Sequence, residues 1–460
     1  MNNYQKYIIF TFVLLILTLS SCKVGERYQR SDMEMPATFG TGYIDNRSVE
    51  DIGWGTLYTD TVLQKLIYRA LDNNKDVLIA TARIKEMIAT KRISFANMLP
   101  EVGIDGLGDR EYTNYGGNND TYSPEIHASL TFGWELDVWG KLRWANDAGV
   151  AAYMQSVDAK QALRLTIIAQ VAQFYFELKG LDSQLGIVKQ TLEARKEGVH
   201  FAKLRYEGGL TSEMPYRQSL VELARTETLI PDIERQVRQK ENDLSLLLGE
   251  FPMDIPRGEE INYQFIPDSL PVDLPSALLE RRPDVRQAEQ KLIEANANVG
   301  VAFTEMFPSL KLTGSLGFEN SELTDFLKSP AWLISGAVTG PIFNMGKNKA
   351  KHNAAKAVYE QEVYTYEKTI LGVFNEVNSS IIYFRKAKEV HHSREALYRS
   401  AQSYLKMAQL QYVNGIVSYL DVLDAQRQLF DAEISLNEAI LDELLSVVSL
   451  YKALGGGLSD

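Results

Sequence analysis

Two periods alternate along this chain. In residues 125–137 apolar side chains occupy every second position: Ile126, Ala128, Leu130, Phe132, Trp134 and Leu136 share one face, and His127, Ser129, Thr131, Gly133, Glu135 and Asp137 share the other. Residues 310–319 repeat the pattern, with Leu310, Leu312, Leu316 and Phe318 against Lys311, Thr313, Ser315 and Glu319. In residues 332–342 the apolar set is Trp332, Ile334, Val338 and Ile342. A weaker fourth case, 101–112, carries Val102, Ile104 and several glycines. A period of two predicts strands with one apolar face. Strands of about ten residues patterned this way suit a β-barrel whose outer face meets lipid. An ordinary antiparallel sheet packed on a core is the other reading. Four strands cannot close a barrel, and open edges do not survive in lipid. A membrane reading therefore requires several chains to pool their strands; three chains would supply twelve.

The second period is helical. Ile167, Val171, Phe174, Leu178, Leu181, Leu185, Val188 and Leu192 follow steps of four and three, a coiled-coil seam that reads as packing core. No proline occurs from Lys141 to Glu207 or from Lys347 to Val413. A helix of ~67 residues rises roughly 100 Å, too long for one globular core. Shorter helices are predicted over about 60–98, 214–248, 276–306 and 419–454. Gly208-Gly209-Leu210-Thr211-Ser212 and Gly415-Ile416-Val417-Ser418 are predicted to turn each long helix into the next, with Ser212 and Ser418 as N-caps and Pro215 in the first turn.

These elements come twice. Phe95 to Pro100 returns as Phe303 to Pro308, Trp139-Gly140-Lys141 as Met345-Gly346-Lys347, Tyr206 and Gly209 as Tyr412 and Gly415, and Leu248-Gly249 as Leu454-Gly455. The near-constant offset argues for duplication of a whole unit. The expected division is a removed leader at 1–21, an N-terminal segment at 22–59, a first repeat at 60–250, a connector at 251–275, a second repeat at 276–455 and a tail at 456–460. The fold class is mainly α with a small β part.

Charge and rare residues narrow the function. The net charge is −12, which with no basic stripe argues against nucleic acid. Lys6 precedes an apolar run, Tyr7 to Leu19, which ends at Leu19-Ser20-Ser21-Cys22, the only cysteine of the chain. The run is short for a bilayer span and right for a secretory signal. Its end resembles the lipobox of bacterial lipoproteins, which implies cleavage before Cys22 and acylation of its thiol. Of five histidines, His127, His200, His352, His391 and His392, none shows a metal-ligand spacing except the adjacent His391-His392 pair, whose side chains point apart on a helix, and no nucleophile or phosphate-binding motif occurs. Neither an enzyme nor a cofactor is expected.

Arg281-Arg282-Pro283-Asp284-Val285-Arg286-Gln287-Ala288-Glu289, then Phe307-Pro308-Ser309, and Trp134 to Lys141 at a strand-to-helix junction, carry a family resemblance over the whole mature chain. The chain resembles the TolC-like outer-membrane efflux proteins, in their lipoprotein branch. The resemblance implies a homotrimer with one twelve-stranded barrel in the outer membrane and an α-helical tunnel in the periplasm. It implies a periplasmic adaptor at the hairpin tips (Gly208 to Ser212 and Gly415 to Ser418) and an inner-membrane RND-type pump that supplies the energy. It also implies a periplasmic gate at Tyr412, Asp421 and Asp424. Two aspartates three residues apart share a helix face, and threefold symmetry makes each a ring of carboxylates. A plain role at a helix N-terminus explains the same residues equally well. Some members carry an arginine two residues after the tip glycine, where this chain has Val417; Pro215 and Gln218 stand in the first copy where Asp421 and Asp424 stand in the second. Small toxic compounds are the expected cargo, with metal ions or secreted proteins as the alternative. A lipid-anchored coiled-coil tether or adaptor is the second alternative.

Overall fold

The computed structural model describes residues 23–30, 33, 36, 39, 53–114, 120–267 and 280–456. The expected leader, Cys22, much of the N-terminal segment, part of the connector and residues 457–460 lie outside the described residues. The helices are α1 (Trp54–Leu57), α2 (Thr61–Asn73), α3 (Lys75–Ala96), α4 (Lys141–Glu207), α5 (Met214–Leu247), α6 (Pro283–Thr304), α7 (Lys347–Val413) and α8 (Tyr419–Ala453). The strands are β1 (Glu101–Asn114), β2 (Asp120–Leu136), β3 (Ser309–Asn320) and β4 (Pro330–Thr339). α4 and α7 each run unbroken for 67 residues.

The expected first helix is two helices. Asn74 sits between α2 and α3 with ψ 129 and accepts the Asp76 and Val77 N–H groups on its side-chain oxygen at 2.9 and 3.2 Å. Its amide donates to the Leu247 carbonyl at 2.9 Å. An asparagine that caps the following helix and bonds a distant chain end outweighs continuation of the first.

The sheet is antiparallel in the order β1-β2-β3-β4. Its register lines up Ile104, Leu130, Leu316 and Trp332 in one row, and Val102, Phe132, Gly314 and Ile334 in the next. Ile104 is 85% exposed, Trp332 73% and Leu316 61%, so the apolar stripe continues across all four strands with none of the described residues packed upon it. The opposite face aligns Asp105 with Ser129 and His127 with Glu319. Gly317 is required for close approach: a Cβ there would lie 2.1 Å from the Ala128 carbonyl oxygen.

Contacts divide the chain into two compact units that cut across the sequence halves. The first draws on Met1–Met33, Arg83–Val157 and Gln287–Lys368 and contains the sheet. The second draws on Glu34–Ala82, Asp158–Arg286 and Thr369–Asp460 and contains both hairpin tips. Five members of the predicted seam, Ile167, Val171, Leu178, Val188 and Leu192, are buried in the second unit.

Two polar nodes tie the second unit together. Asp60 caps α2 through the Val62 and Leu63 N–H groups at 2.8 and 3.3 Å, and accepts from the Tyr175 hydroxyl at 2.7 Å and the Gln264 amide at 3.0 Å. Burial pushes the Asp60 carboxyl up, but these four bonds outweigh it and hold it below the usual carboxylate range. Asp60→Ala removes the cap and strands buried donors; an expected cost of about 2–4 kcal/mol follows, to be read as a lowered melting temperature. A depressed carboxyl stabilises the fold above its unfolded pKa and loses that contribution as pH falls through its folded value. Asp60→Asn is therefore expected to flatten the acid limb of the melting curve against pH.

The second node is the Arg-Arg-Pro-Asp-Val-Arg stretch. Buried Arg282 donates to the Ala453 carbonyl at the end of α8 (2.5 Å), to both oxygens of Asp284 (3.0 and 2.7 Å) and to Glu376 of α7 (2.7 Å). Arg286 pairs with buried Asp158 of α4. The motif staples the start of α6 to three other helices, with Pro283 at the first helical position, where its missing N–H costs nothing.

Candidate functional site

Both hairpin tips end their long helices in the same way. The Gly209 N–H donates to the Tyr206 carbonyl at 3.0 Å and the Leu210 N–H to the Arg205 carbonyl at 2.9 Å. In the second hairpin Gly415 donates to Tyr412 at 3.0 Å and Ile416 to Gln411 at 2.9 Å. These are paired Schellman closures, and they need the positive φ that glycine supplies: +70 at Gly209 and +72 at Gly415. Leu210 and Ile416 then project at the tips, each 71% exposed. Gly208 and Ser212 are exposed and Thr211 half-buried; Val417 is half-buried and Ser418 exposed.

The helices that follow begin differently. Before α5 the cap position falls on Glu213, which makes no side-chain capping bond, so the expected Ser212 cap does not form. Pro215 lies in the first turn as expected. Before α8 the Ser418 N–H and hydroxyl both donate to one Asp421 carboxylate oxygen, at 2.8 and 2.7 Å. These bonds, the hydroxyl's first, hold Asp421 below the usual carboxylate range. Asp424, one turn on, accepts from Arg427 at 2.8 Å and Gln428 at 2.7 Å. The structure thus places the two aspartates on successive turns at the tip, each bonded within its own segment.

Tyr412 belongs to a small apolar cluster with Ala408, Val422, Ala425, Leu405 and Tyr419. Its ring lies 5.4 Å from that of Tyr419 and 5.2 Å from the Arg205 guanidinium of α4. The partners that hold α8 against the first hairpin are not legible in the sequence. Arg195 of α4 is buried, donates to the Glu222 carbonyl at 2.7 Å, pairs with the Glu222 carboxylate at 3.3 Å and stands 5.3 Å from the Phe430 ring. The Tyr419 hydroxyl donates to the Gly198 carbonyl at 3.4 Å. Arg195, Gly198 and Arg205 follow a helical stripe on α4, but nothing in their local sequence names Phe430, Tyr419 or Tyr412 as partners.

No helix among the described residues is long and apolar enough to cross a membrane. The outward stripe of the sheet is a surface patterned for lipid. The model of the family described as "Outer membrane efflux protein" matches residues 66–250 and 274–456. The chain belongs to the outer membrane efflux protein family. It is 30% identical over 448 residues to the cation efflux system protein CusC of Escherichia coli (strain K12), covering 96% of this chain and 97% of that one. It is 30% identical over 465 residues to the toluene efflux pump outer membrane protein TtgC of Pseudomonas putida, covering 98% and 95%. The solved open state of the Neisseria gonorrhoeae MtrE outer membrane channel superposes with a TM-score of 0.88 at 29% identity, covering 95% of this chain and 99% of that one.

This outer membrane efflux protein is a passive duct, not an enzyme. It is a homotrimer that works with a periplasmic adaptor and an inner-membrane RND pump, and it lies in the outer membrane with a large periplasmic helical portion. Three copies of the four-stranded sheet close the twelve-stranded barrel, which leaves no strand edge in lipid.

Proposed function

We propose that this efflux protein exports small toxic organic compounds, with Asp421, Asp424 and Tyr412 lining its periplasmic entrance. The observation that carries the reading is the mixed chemistry of the second tip. Asp421 and Asp424 lie on the first turns of α8, which also carry Tyr419 and the exposed Leu420. Tyr412 and the exposed Ile416 lie just before them in the chain, with the Tyr412 and Tyr419 rings 5.4 Å apart. Carboxylates with aromatic faces suit amphiphilic organic cations. Tip residues Gly208 to Ser212 and Gly415 to Ser418 are the proposed adaptor contacts. Cys22 is the proposed acylation site, and the two repeats at 60–250 and 276–455 are proposed as products of duplication.

Similarity to CusC, named for cation efflux, gives metal ions as the second reading; similarity to TtgC, named for toluene efflux, supports the first. The test is complementation of a strain lacking its outer-membrane ducts, scored separately against organic dyes and solvents and against a panel of transition-metal cations. Restored resistance to the organic compounds alone is the expected result. Restored resistance to metals alone would replace the first reading with the second.

A further inference from the structure

Residues 23–30 form no helix or strand, yet they are fixed at almost every step. The Val24 N–H donates to the Trp139 carbonyl at 3.1 Å, and the Val24 carbonyl accepts from the Trp144 indole N–H at 2.8 Å. The Lys23 ammonium lies 3.4 Å over the Trp144 ring and pairs with Asp147. Gly25, at φ +132, lies against the same indole; a Cβ there would stand 3.1 Å from the ring. Trp144 itself is only 3% exposed. It is seated on Gly300 of α6, where a Cβ would come within 2.4 Å of it. Farther along α6, Asn296 donates to the Glu26 carbonyl at 3.3 Å. Arg30 then forks Glu289 at 2.7 and 2.6 Å, and the Tyr28 hydroxyl joins the same carboxylate at 3.2 Å.

We propose that the groove between the start of α4 and α6 is a docking site for this amino-terminal strap, with Trp144 as its receptor. One indole receives a cation on its face, a carbonyl on its N–H and a glycine against its edge, so it reads the sequence Lys-Val-Gly as a unit. The clamp fixes Lys23 beside Gly140, where β2 hands over to α4: a Cβ on Gly140 would lie 2.9 Å from the Lys23 side chain. An acyl group on the residue before Lys23 is then tethered at the periplasmic foot of the barrel. This rests on the reading of Cys22 as the acylated residue. A lipid on a slack tether and a barrel would enter the bilayer as independent events; a short fixed link makes the second event intramolecular.

Two measurements test the proposal. The first is trypsin cleavage at Arg27, an exposed residue within the strap, followed by mass spectrometry of the purified, detergent-solubilised trimer. Opening of the strap limits the rate, so Trp144→Leu is expected to speed cleavage about tenfold or more. Lys23→Met leaves the buried core intact and keeps Arg27; it is expected to shift the rate the same way and carries the test if the tryptophan variant yields no trimer. Equal rates in Lys23→Met and the unaltered protein would overturn the docking site.

The second measurement is a double-mutant cycle on outer-membrane trimer yield, with Lys23→Met and Cys22→Ser alone and combined. If the clamp acts through the lipid, Lys23→Met lowers yield with Cys22 present and adds nothing in its absence. Additive losses, or a Cys22→Ser protein that assembles normally, would overturn the coupling. An unacylated amino-terminal peptide in the unaltered protein would overturn the lipid reading alone, leaving the docking site to the Arg27 rates.

Discussion

Leu316→Arg is expected to abolish the outer-membrane trimer. Leu316 stands in the row Ile104, Leu130, Leu316, Trp332, inside the apolar stripe, and is 61% exposed on a face that none of the described residues covers. An arginine on the lipid face of a barrel costs about 2–4 kcal/mol near the midplane. Three copies per trimer bring the penalty to roughly 6–12 kcal/mol, comparable to the whole stability of a folded domain. The measurement is the amount of heat-modifiable trimer in outer-membrane fractions. Thr313→Arg, three residues from Leu316 on β3 and on the opposite face, is the matched control and is expected to assemble. Normal trimer from Leu316→Arg would refute the assigned lipid face.

The largest functional effect is expected from Asp421→Ala combined with Asp424→Ala. On the proposed gate reading each position contributes a ring of three carboxylates in the trimer, and removing both rings is expected to raise single-channel conductance severalfold and erase cation preference in planar bilayers. The Ser418 bonds hold Asp421 below the usual carboxylate range, so its charge persists into mildly acidic solution. The share of cation preference that Asp421 carries in the unaltered channel should therefore fade only as pH falls through that depressed value. Because Asp421 also caps α8, Ser418→Ala is the discriminating control: it disrupts the cap and keeps both carboxylates. A conductance rise as large in Ser418→Ala would assign the effect to helix fraying. Unchanged conductance and unchanged block by divalent cations in the double variant would remove the gate assignment.

What could be read from the chain beforehand follows the range of the interactions. The lipid stripe was legible because alternation at Leu130 or Leu316 is a local property of one strand. The pairing of Leu130 with Leu316 was not, since it is set by contacts nearly 190 residues apart in sequence. Gly209 and Gly415 announced the tips because a Schellman closure needs a positive φ there. Asn74 was hidden inside an apparently continuous helix, because its side chain bonds the distant Leu247 carbonyl. Asp421 read equally as a gate residue or a helix-start residue; the structure adds the Ser418 bonds, and the ring of charge awaits the conductance test. Trp144 carried no signal at all, since a tryptophan in a long helix is ordinarily core, and only the arrival of residues 23–25 gives it another use.

Among the described residues, the sheet of one chain ends in two unpaired edges, β1 and β4. No single copy can therefore complete its own barrel, and a defective subunit is not a private loss. When altered and intact chains are made together, the share of wholly intact channels falls as the cube of the intact fraction. A lipid-face variant milder than Leu316→Arg that still joins the trimer would poison its neighbours and behave as genetically dominant. One that fails before association would be recessive. Inheritance in a mixed-expression strain thus reports the step at which assembly breaks.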